Sequence, residues 1–171
     1  MQERVVTASL RIVPEELRQG VEALFTLFAI FAEDVTVPDT ALDVVAPLMA
    51  APAVEGSSQA AAGGSSAAKQ KRLVRRGLQQ LLKASILKGS MEAGVSVHDL
   101  VRECMIKRAE AAREGGLRAT QRDAVPLLVA AFDASSPAAA YVARSLHWHV
   151  RQARLPGKAL AIHPILNMHA D

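Results

Sequence analysis

Apolar residues recur every three or four positions after Pro14, which predicts an amphipathic helix that begins near this proline. Proline suits the first position of a helix, and the glutamates at 15 and 16 suit its positive end. The apolar positions widen toward residues 27–31, where every side chain is hydrophobic. We therefore expect the end of this helix to be deeply buried. The predicted apolar positions are Leu17, Val21, Leu24, Phe25, Leu27, Phe28, Ile30 and Phe31.

Two further helices follow the same periodicity. A short extended segment is predicted at residues 35–37, and a helix then starts at Pro38 and is ended or kinked by Pro47. A third helix is predicted over residues 69–84. The predicted core positions of these two helices are Leu42, Val45, Leu48 and Met49, and Val74, Leu78, Leu81 and Leu82.

Residues 50–68 separate these two helices and consist almost entirely of alanine, glycine and serine. No apolar face repeats along them, and small polar residues give a chain little to bury. We therefore expect a disordered, flexible insertion on the surface.

A β-hairpin is predicted over residues 85–97, because short apolar stretches flank a turn bounded by Gly89 and Gly94. His98 and Asp99 then lead into a fourth helix, which two glycines after residue 114 end. The expected apolar face of this helix is Leu100, Val101, Cys104, Met105 and Ala109. The order helix, helix, helix, hairpin, helix is typical of a winged-helix domain.

The rest of the chain is predicted to be helical. One helix covers residues 120–132 with a kink at Pro126, and another is capped by Ser136, opens at Pro137 and ends near Arg154. Val142, Leu146 and Val150 space the core face of the last helix. The tail after residue 156 is weakly patterned, and we expect partial order there at best.

These patterns predict a mainly α fold with two parts. A winged-helix domain would comprise residues 1–49 and 69–114, interrupted by the 50–68 insertion. A partial α-helical domain would follow over residues 117–171.

Composition narrows the function classes. Half of the residues are hydrophobic, which is enough for a core, and the net charge of +3 is too small to indicate nucleic acid by itself. Cys104 is the only cysteine, so an intramolecular disulfide and a cysteine-based zinc site are both excluded. No apolar run reaches the roughly 20 residues that cross a bilayer. We predict a cytoplasmic protein with no membrane association.

Four blocks of sequence, in order, resemble the winged-helix part of NB-ARC (STAND) signalling ATPases, which include apoptosome scaffolds and plant disease-resistance proteins. Residues 28–38 resemble the family's Leu-Ala-Val-Phe-Pro-Glu-Asp-Val-x-Ile-Pro, with alanine for the first proline. Residues 42–48 match its next short helix without the final tryptophan, and residues 78–87 are similar to Leu-x-x-Leu-x-x-x-Ser-Leu-Leu. Residues 97–103, Val-His-Asp-Leu-Val-Arg-Glu, resemble Met-His-Asp-Leu-Val-Arg-Asp and carry the most specific match. Residues 141–153 resemble the first helix of the following helical domain.

The resemblance implies a regulatory role based on ADP. In this family the histidine at the position of His98 contacts the β-phosphate of ADP, and Asp99 would cap the helix and orient that histidine. The chain lacks a Gly-x4-Gly-Lys-Ser/Thr loop, so we expect no ATPase core, no catalysis and no nucleotide bound to the chain alone. ADP or ATP would come with a nucleotide-binding domain in a longer chain or in a partner, and the chain would be a fragment, a split product or a derived module. The family also implies homo-oligomers in the active state.

Other interpretations remain open at this point. His98 and Asp99 could serve only to cap their helix. Lys71, Arg72, Arg75 and Arg76 lie on the third helix, which enters the DNA major groove in DNA-binding winged helices, although the small net charge disfavours nucleic acid. A third alternative is a helical scaffold for protein interaction. His147 and His149 are predicted to have packing or surface roles, because residues two apart on a helix face different directions.

Overall fold

A computed structural model describes residues 2–49, 63–132 and 137–155 of the chain. This part is mainly helical, with one two-stranded antiparallel sheet. The helices are α1 (Gln2–Arg11), α2 (Glu15–Leu27), α3 (Asp39–Val45), α4 (Gly63–Lys83), α5 (Asp99–Ala112), α6 (Gly116–Ala130) and α7 (Ala139–Ala153). The strands are β1 (Leu87–Ser90) and β2 (Gly94–Val97), and short 3-10 turns cover Phe28–Ile30 and Ala46–Met49. None of the helices described is long and apolar enough to cross a membrane.

Helix α2 begins as its sequence predicts. Pro14 caps the helix with extended backbone, and Glu15 and Glu16 lie in its first turn. The helix runs into the Phe28–Ile30 turn, where every side chain is buried, as is Phe31 beyond it. The prediction of a deeply buried helix end is confirmed, and this turn lies at the centre of the core.

Helix α1 was not predicted, because its sequence mixes charges with few apolar residues. It buries Val6 and Leu10 and packs against α5 and α2. Such a helix becomes stable mainly through the tertiary contacts of two side chains, which a local pattern shows only weakly.

Helix α4 begins at Gly63, earlier than the predicted Lys69. Residues 63–68 are therefore helical, and the prediction that they belong to a disordered insertion is wrong. Alanine, which favours helices, and attachment to a long amphipathic segment let the helix extend into this stretch. Residues 50–62 of the predicted insertion lie outside the described residues. Val74, Leu78 and Leu81 are buried as predicted, and Leu82 is half-buried.

The predicted hairpin is confirmed, with Leu87 opposite Val97 and Ser90 opposite Gly94. Gly94 adopts φ 92°, and a Cβ there would lie 2.7 Å from the Thr36 side chain. This position therefore requires glycine. The extended segment before α3 joins the sheet edge, because Val37 and Val95 exchange backbone hydrogen bonds of 2.8 and 2.9 Å.

Helix α5 buries Cys104, Met105 and Ala109 as predicted. Leu100 was assigned to the same face, and this assignment is wrong, because Leu100 is 44% exposed. It lies in the first turn, where the helix extends past the core. The helix ends at Ala112, just before two residues with left-handed backbone, Gly115 and Gly116.

Helices α6 and α7 pack against each other, and α6 also contacts α3, α5 and both 3-10 turns. Pro126 lies inside α6, as predicted, but α6 begins at Gly116 rather than Thr120. α7 begins at Ala139, so Pro137 precedes the helix instead of opening it, and Ser136 lies outside the described residues. The buried face of α7 is confirmed, and the tail from residue 156 also lies outside the described residues. One apolar cluster includes side chains from both sides of the predicted domain boundary near residue 115.

Candidate functional site

The two most distinctive blocks of the sequence, residues 28–38 and 97–103, meet in space. The backbone N–H of Asp34 donates to the carbonyl of Val97 at 3.3 Å, immediately before His98. One turn after His98, the Arg102 Nε donates to the carbonyl of Phe31 at 2.8 Å. Residues 28–38 therefore contact the chain both before and after His98, and these contacts fix the position of His98 at the surface.

His98 is the residue that joins β2 to α5, with extended backbone that caps the helix. Its side chain is 46% exposed and that of Asp99 is 56% exposed. The His98 Nδ1 and the Asp99 Oδ1 are in direct contact. The structure therefore brings both predicted site residues together on the surface.

The hydrogen bonds of Leu100 determine how the histidine is oriented. The Leu100 N–H lies 2.7 Å from the Asp99 Oδ1 and 3.4 Å from the His98 Nδ1. The Leu100 N–H is therefore shared between the Asp99 carboxylate, which is the closer acceptor, and the His98 Nδ1, whose side chain caps the helix. A ring whose Nδ1 accepts carries its hydrogen on Nε2, at the opposite edge, and this N–H can donate to an external oxygen. Asp99 therefore accepts from the first turn of α5 and contacts the His98 ring, and its role in orienting that ring stays a prediction.

Arg102 adds a cation beside His98 and Asp99, and we call these three residues the His98 corner. It lies one turn after His98 and is half-buried, with its guanidinium carbon 5.8 Å from the centre of the Trp148 ring. Burial lowers the pKa of the Arg102 guanidinium, and the Glu33 carboxylate opposes this shift. Arg102 therefore links α5 to both the 28–38 block and α7.

The chemistry available at this corner is hydrogen bonding to an anion. An imidazole and a guanidinium are both donors to phosphate oxygens, and the start of a helix favours negative charge. The carboxylate of Asp99 already occupies the Leu100 N–H, so an incoming phosphate would rely on the side chains of His98 and Arg102. Within the described ranges, no three histidine, cysteine or acidic side chains come close enough to hold a metal ion.

The basic residues of α4 separate into two pairs. Lys71 lies 3.7 Å from Asp43, and Arg75 lies 3.7 Å from Asp39, so both contact carboxylates of α3. Burial raises the pKa of Asp43, and Lys71 partly opposes this. Arg72 and Arg76 are exposed and form no ion pair within the part of the chain that the structure describes. Only half of the predicted basic cluster is therefore available to a polyanion without competition.

The core contains a polar cluster that the sequence pattern did not indicate. It is formed by Gln121, Tyr141 and His149. Gln121 Nε2 donates to the Ile30 carbonyl at 2.7 Å, which places its Oε1 against the His149 Nδ1 at 2.9 Å. Since Oε1 can only accept, Nδ1 carries the hydrogen, and Nε2 accepts from the Tyr141 hydroxyl at 2.9 Å. All three side chains are buried, and each of these groups has a partner.

Burial determines the protonation of this cluster. It lowers the pKa of His149 to about 4 and raises the pKa of Tyr141 above its ordinary value. Both rings are therefore neutral at physiological pH. The predicted packing role of His149 is confirmed, and His147 is exposed on the surface of α7 as predicted. The only sequence signal for the cluster was a polar residue at a core position of each helix.

A pocket of about 480 Å³ lies between α2, the Ala46–Met49 turn, α5 and α6. Leu27, Leu48 and Ala109 line its apolar part, and the Arg113–Asp123 ion pair lines its polar part. Neither His98 nor Arg102 belongs to it, so the pocket is separate from the His98 corner.

Comparisons with known proteins identified no relative of this chain. No protein-family model, no characterised protein and no solved structure matches it significantly.

Proposed function

We propose that the chain is the ADP-sensing, autoinhibitory segment of an NB-ARC-type signalling protein, without catalysis of its own. It acts with an ATPase domain that belongs either to the same longer chain or to a partner. In the inactive state, His98 donates a hydrogen bond to the β-phosphate of ADP held by that domain, and Asp99 holds the ring in position. Replacing ADP with ATP weakens this contact and shifts the population toward an open state that forms oligomers.

The observation that carries the proposal is the meeting of the 28–38 and 97–103 blocks around an exposed histidine. Neither hydrogen bond involves the His98 ring, but together they hold the chain before and after that ring against residues 28–38. The order α2, an extended segment paired through Val37, α3, α4, hairpin and α5 also supports a winged-helix arrangement.

ADP dissociation tests the proposal directly. The chain is combined with an NB-ARC ATPase domain loaded with labelled ADP, and the rate of ADP release is measured. His98→Ala should raise the release rate about tenfold, because one charge-assisted hydrogen bond is lost. His147→Ala is the matched control, since it removes an exposed histidine from α7. Release that is equally fast with the parent chain and with His98→Ala would overturn the role of His98.

A DNA-binding module is the second candidate, and the exposed pair Arg72 and Arg76 favours it. Their charges lie on consecutive turns of α4, whereas Lys71 and Arg75 contact carboxylates. A DNA-binding module should bind duplex DNA with a steep salt dependence. Neutralising Arg72 and Arg76 should then weaken binding much more than neutralising Lys71 and Arg75. Equal effects of the two double variants, or no binding at low salt, would exclude this candidate.

A further inference from the structure

We propose that Arg102 is a positioning residue that couples the His98 end of α5 to α7, so that a change at His98 reaches the C-terminal helices. The inference rests on the proposed role of His98, because it concerns where a signal from that residue goes. It assigns a function to Arg102 and Trp148 that ADP contact by itself does not require.

The first part of the coupling lies within α5. The backbone N–H of Arg102 donates to the His98 carbonyl at 2.9 Å, and this bond closes the first turn of the helix. The side chain of Arg102 then donates from Nε to the Phe31 carbonyl at 2.8 Å. A displacement of the first turn of α5 therefore moves the guanidinium relative to a carbonyl that is anchored in the core.

The second part of the coupling reaches α7. The Arg102 guanidinium stacks near Trp148, and the neighbouring His149 holds Gln121 of α6 in the buried cluster. Gln121 in turn binds the Ile30 carbonyl, next to the Phe31 carbonyl that Arg102 binds. Two consecutive carbonyls at the end of the Phe28–Ile30 turn are thus held by two different helices.

The chemistry of arginine suits this position. A planar guanidinium can donate from Nε along one edge while it presents its flat side to an aromatic ring. A lysine ammonium is a point charge at the end of a flexible stem, so it makes one of these contacts at the expense of the other. Arg102→Lys therefore keeps the charge but removes the coupling.

The same helix offers a matched control. Arg108 also belongs to α5, stands 5.2 Å from the centre of the Phe25 ring and donates to the Thr7 hydroxyl at 3.1 Å. It has the same combination of a hydrogen bond and a ring contact, but it joins α5 to α1 and α2. Arg108→Lys should leave the path from His98 to Trp148 intact.

Trp148 provides the readout, because it is the only tryptophan and its indole N–H gives a single NMR signal. In the 171-residue chain, His98→Ala should displace this signal. When Arg102→Lys is also present, the displacement caused by His98→Ala should be smaller by roughly threefold or more. With Arg108→Lys instead, the displacement should be the same as in the parent. An equal displacement in the Arg102→Lys background, or no response of the indole to His98→Ala, would overturn the proposal.

A second measurement covers the case in which Arg102→Lys does not fold. Trp148→Leu removes the ring without touching the Arg102 contact to Phe31. His98→Ala should then change amide hydrogen exchange in α7 of the parent but not of the Trp148→Leu protein, and the same change in both would contradict the coupling. If the change in α7 is the same in both proteins but His98→Ala still speeds ADP release, the coupling is wrong and the proposed function stands. If the coupling is seen but His98→Ala leaves ADP release unchanged, the proposed function is wrong and the contact path through Arg102 stands.

Discussion

His98 and His149 both have a polar partner at Nδ1, but their environments are opposite. His98 contacts a carboxylate and is 46% exposed at the start of α5. His149 contacts an amide oxygen and is 0% exposed at the centre of the core. The Nε2 of His149 already accepts a hydrogen bond from Tyr141, whereas within residues 2–49, 63–132 and 137–155 no such bond is seen at the Nε2 of His98.

The same side chain can therefore contribute to stability or bind a ligand, according to which of its ring nitrogens have a hydrogen-bond partner. A buried histidine with both nitrogens bound is part of the core, and its hydrogen bonds make the packing of α6 and α7 specific. A histidine with one free nitrogen at the surface contributes little to stability and remains available to a ligand. Mutations at the two sites should therefore differ in kind.

The largest effect is expected when the buried cluster loses Gln121, which joins it to the backbone of the core. Gln121→Leu leaves the His149 N–H and the Ile30 carbonyl without partners, which should lower the free energy of unfolding by about 3 kcal/mol. Urea denaturation measures this loss. Gln79→Leu is the control, because Gln79 is exposed on α4. A loss no greater than that of the control would remove the contrast between core and surface.

The pH dependence of stability should show the next largest effect. Burial lowers the pKa of His149 in the folded protein to about 4, below its value in the unfolded chain. The unfolded state therefore binds more protons as the pH falls, and the folded state is destabilised. Between about pH 7 and about pH 5 the free energy of unfolding should fall by about 2 kcal/mol from this group.

His149→Gln tests that assignment, because the variant keeps a polar side chain but cannot titrate. Its stability should be less sensitive to pH over the same range than that of the parent. Parallel pH profiles for the two proteins would show that other groups cause the dependence.

The smallest effects on stability are expected at the exposed site. Asp99→Ala removes the acceptor of the Leu100 N–H and should cost about 1 kcal/mol, as loss of a helix cap does. His98→Ala should cost less than about 0.5 kcal/mol, because the shorter contact of the Leu100 N–H, to Asp99, remains. Thermal unfolding of both variants measures these losses. A cost at His98 as large as that at Gln121 would mean that His98 has a structural role, and it would count against the proposed contact with ADP.

Much of the secondary structure followed from local pattern. Apolar spacing located α2, α3 and α7, and paired glycines marked the hairpin and the end of α5. These features depend on residues a few positions apart, so neighbouring side chains carry the signal. The local pattern did not indicate helix α1, whose sequence mixes charges with few apolar residues, or the start of α4, which lies in a stretch without an apolar stripe.

The residues of the candidate site show the same difference between local signals, which the sequence reveals, and contacts between distant residues, which it does not. The sequence singled out His98 and Asp99, since adjacent residues at a helix start have local consequences for capping. It assigned no role to Arg102, whose partners Phe31 and Trp148 lie far away along the chain. The sequence also placed Lys71 and Arg72 in one basic cluster, although of these two only Lys71 contacts a carboxylate of α3.

From its amino acids alone, this chain could be expected to form a mainly helical fold with a hairpin and a histidine capping the helix that follows it. These features depend on periodicity and on short-range hydrogen bonds, which act between neighbours. Only the packing of the helices brought Gln121, Tyr141 and His149 close enough to form hydrogen bonds with one another. The same packing placed the Ile30 carbonyl against a side chain of α6 and the Phe31 carbonyl against a side chain of α5. Hydrogen bonds between residues distant in sequence depend on how helices approach one another, and no local pattern along the chain records that approach.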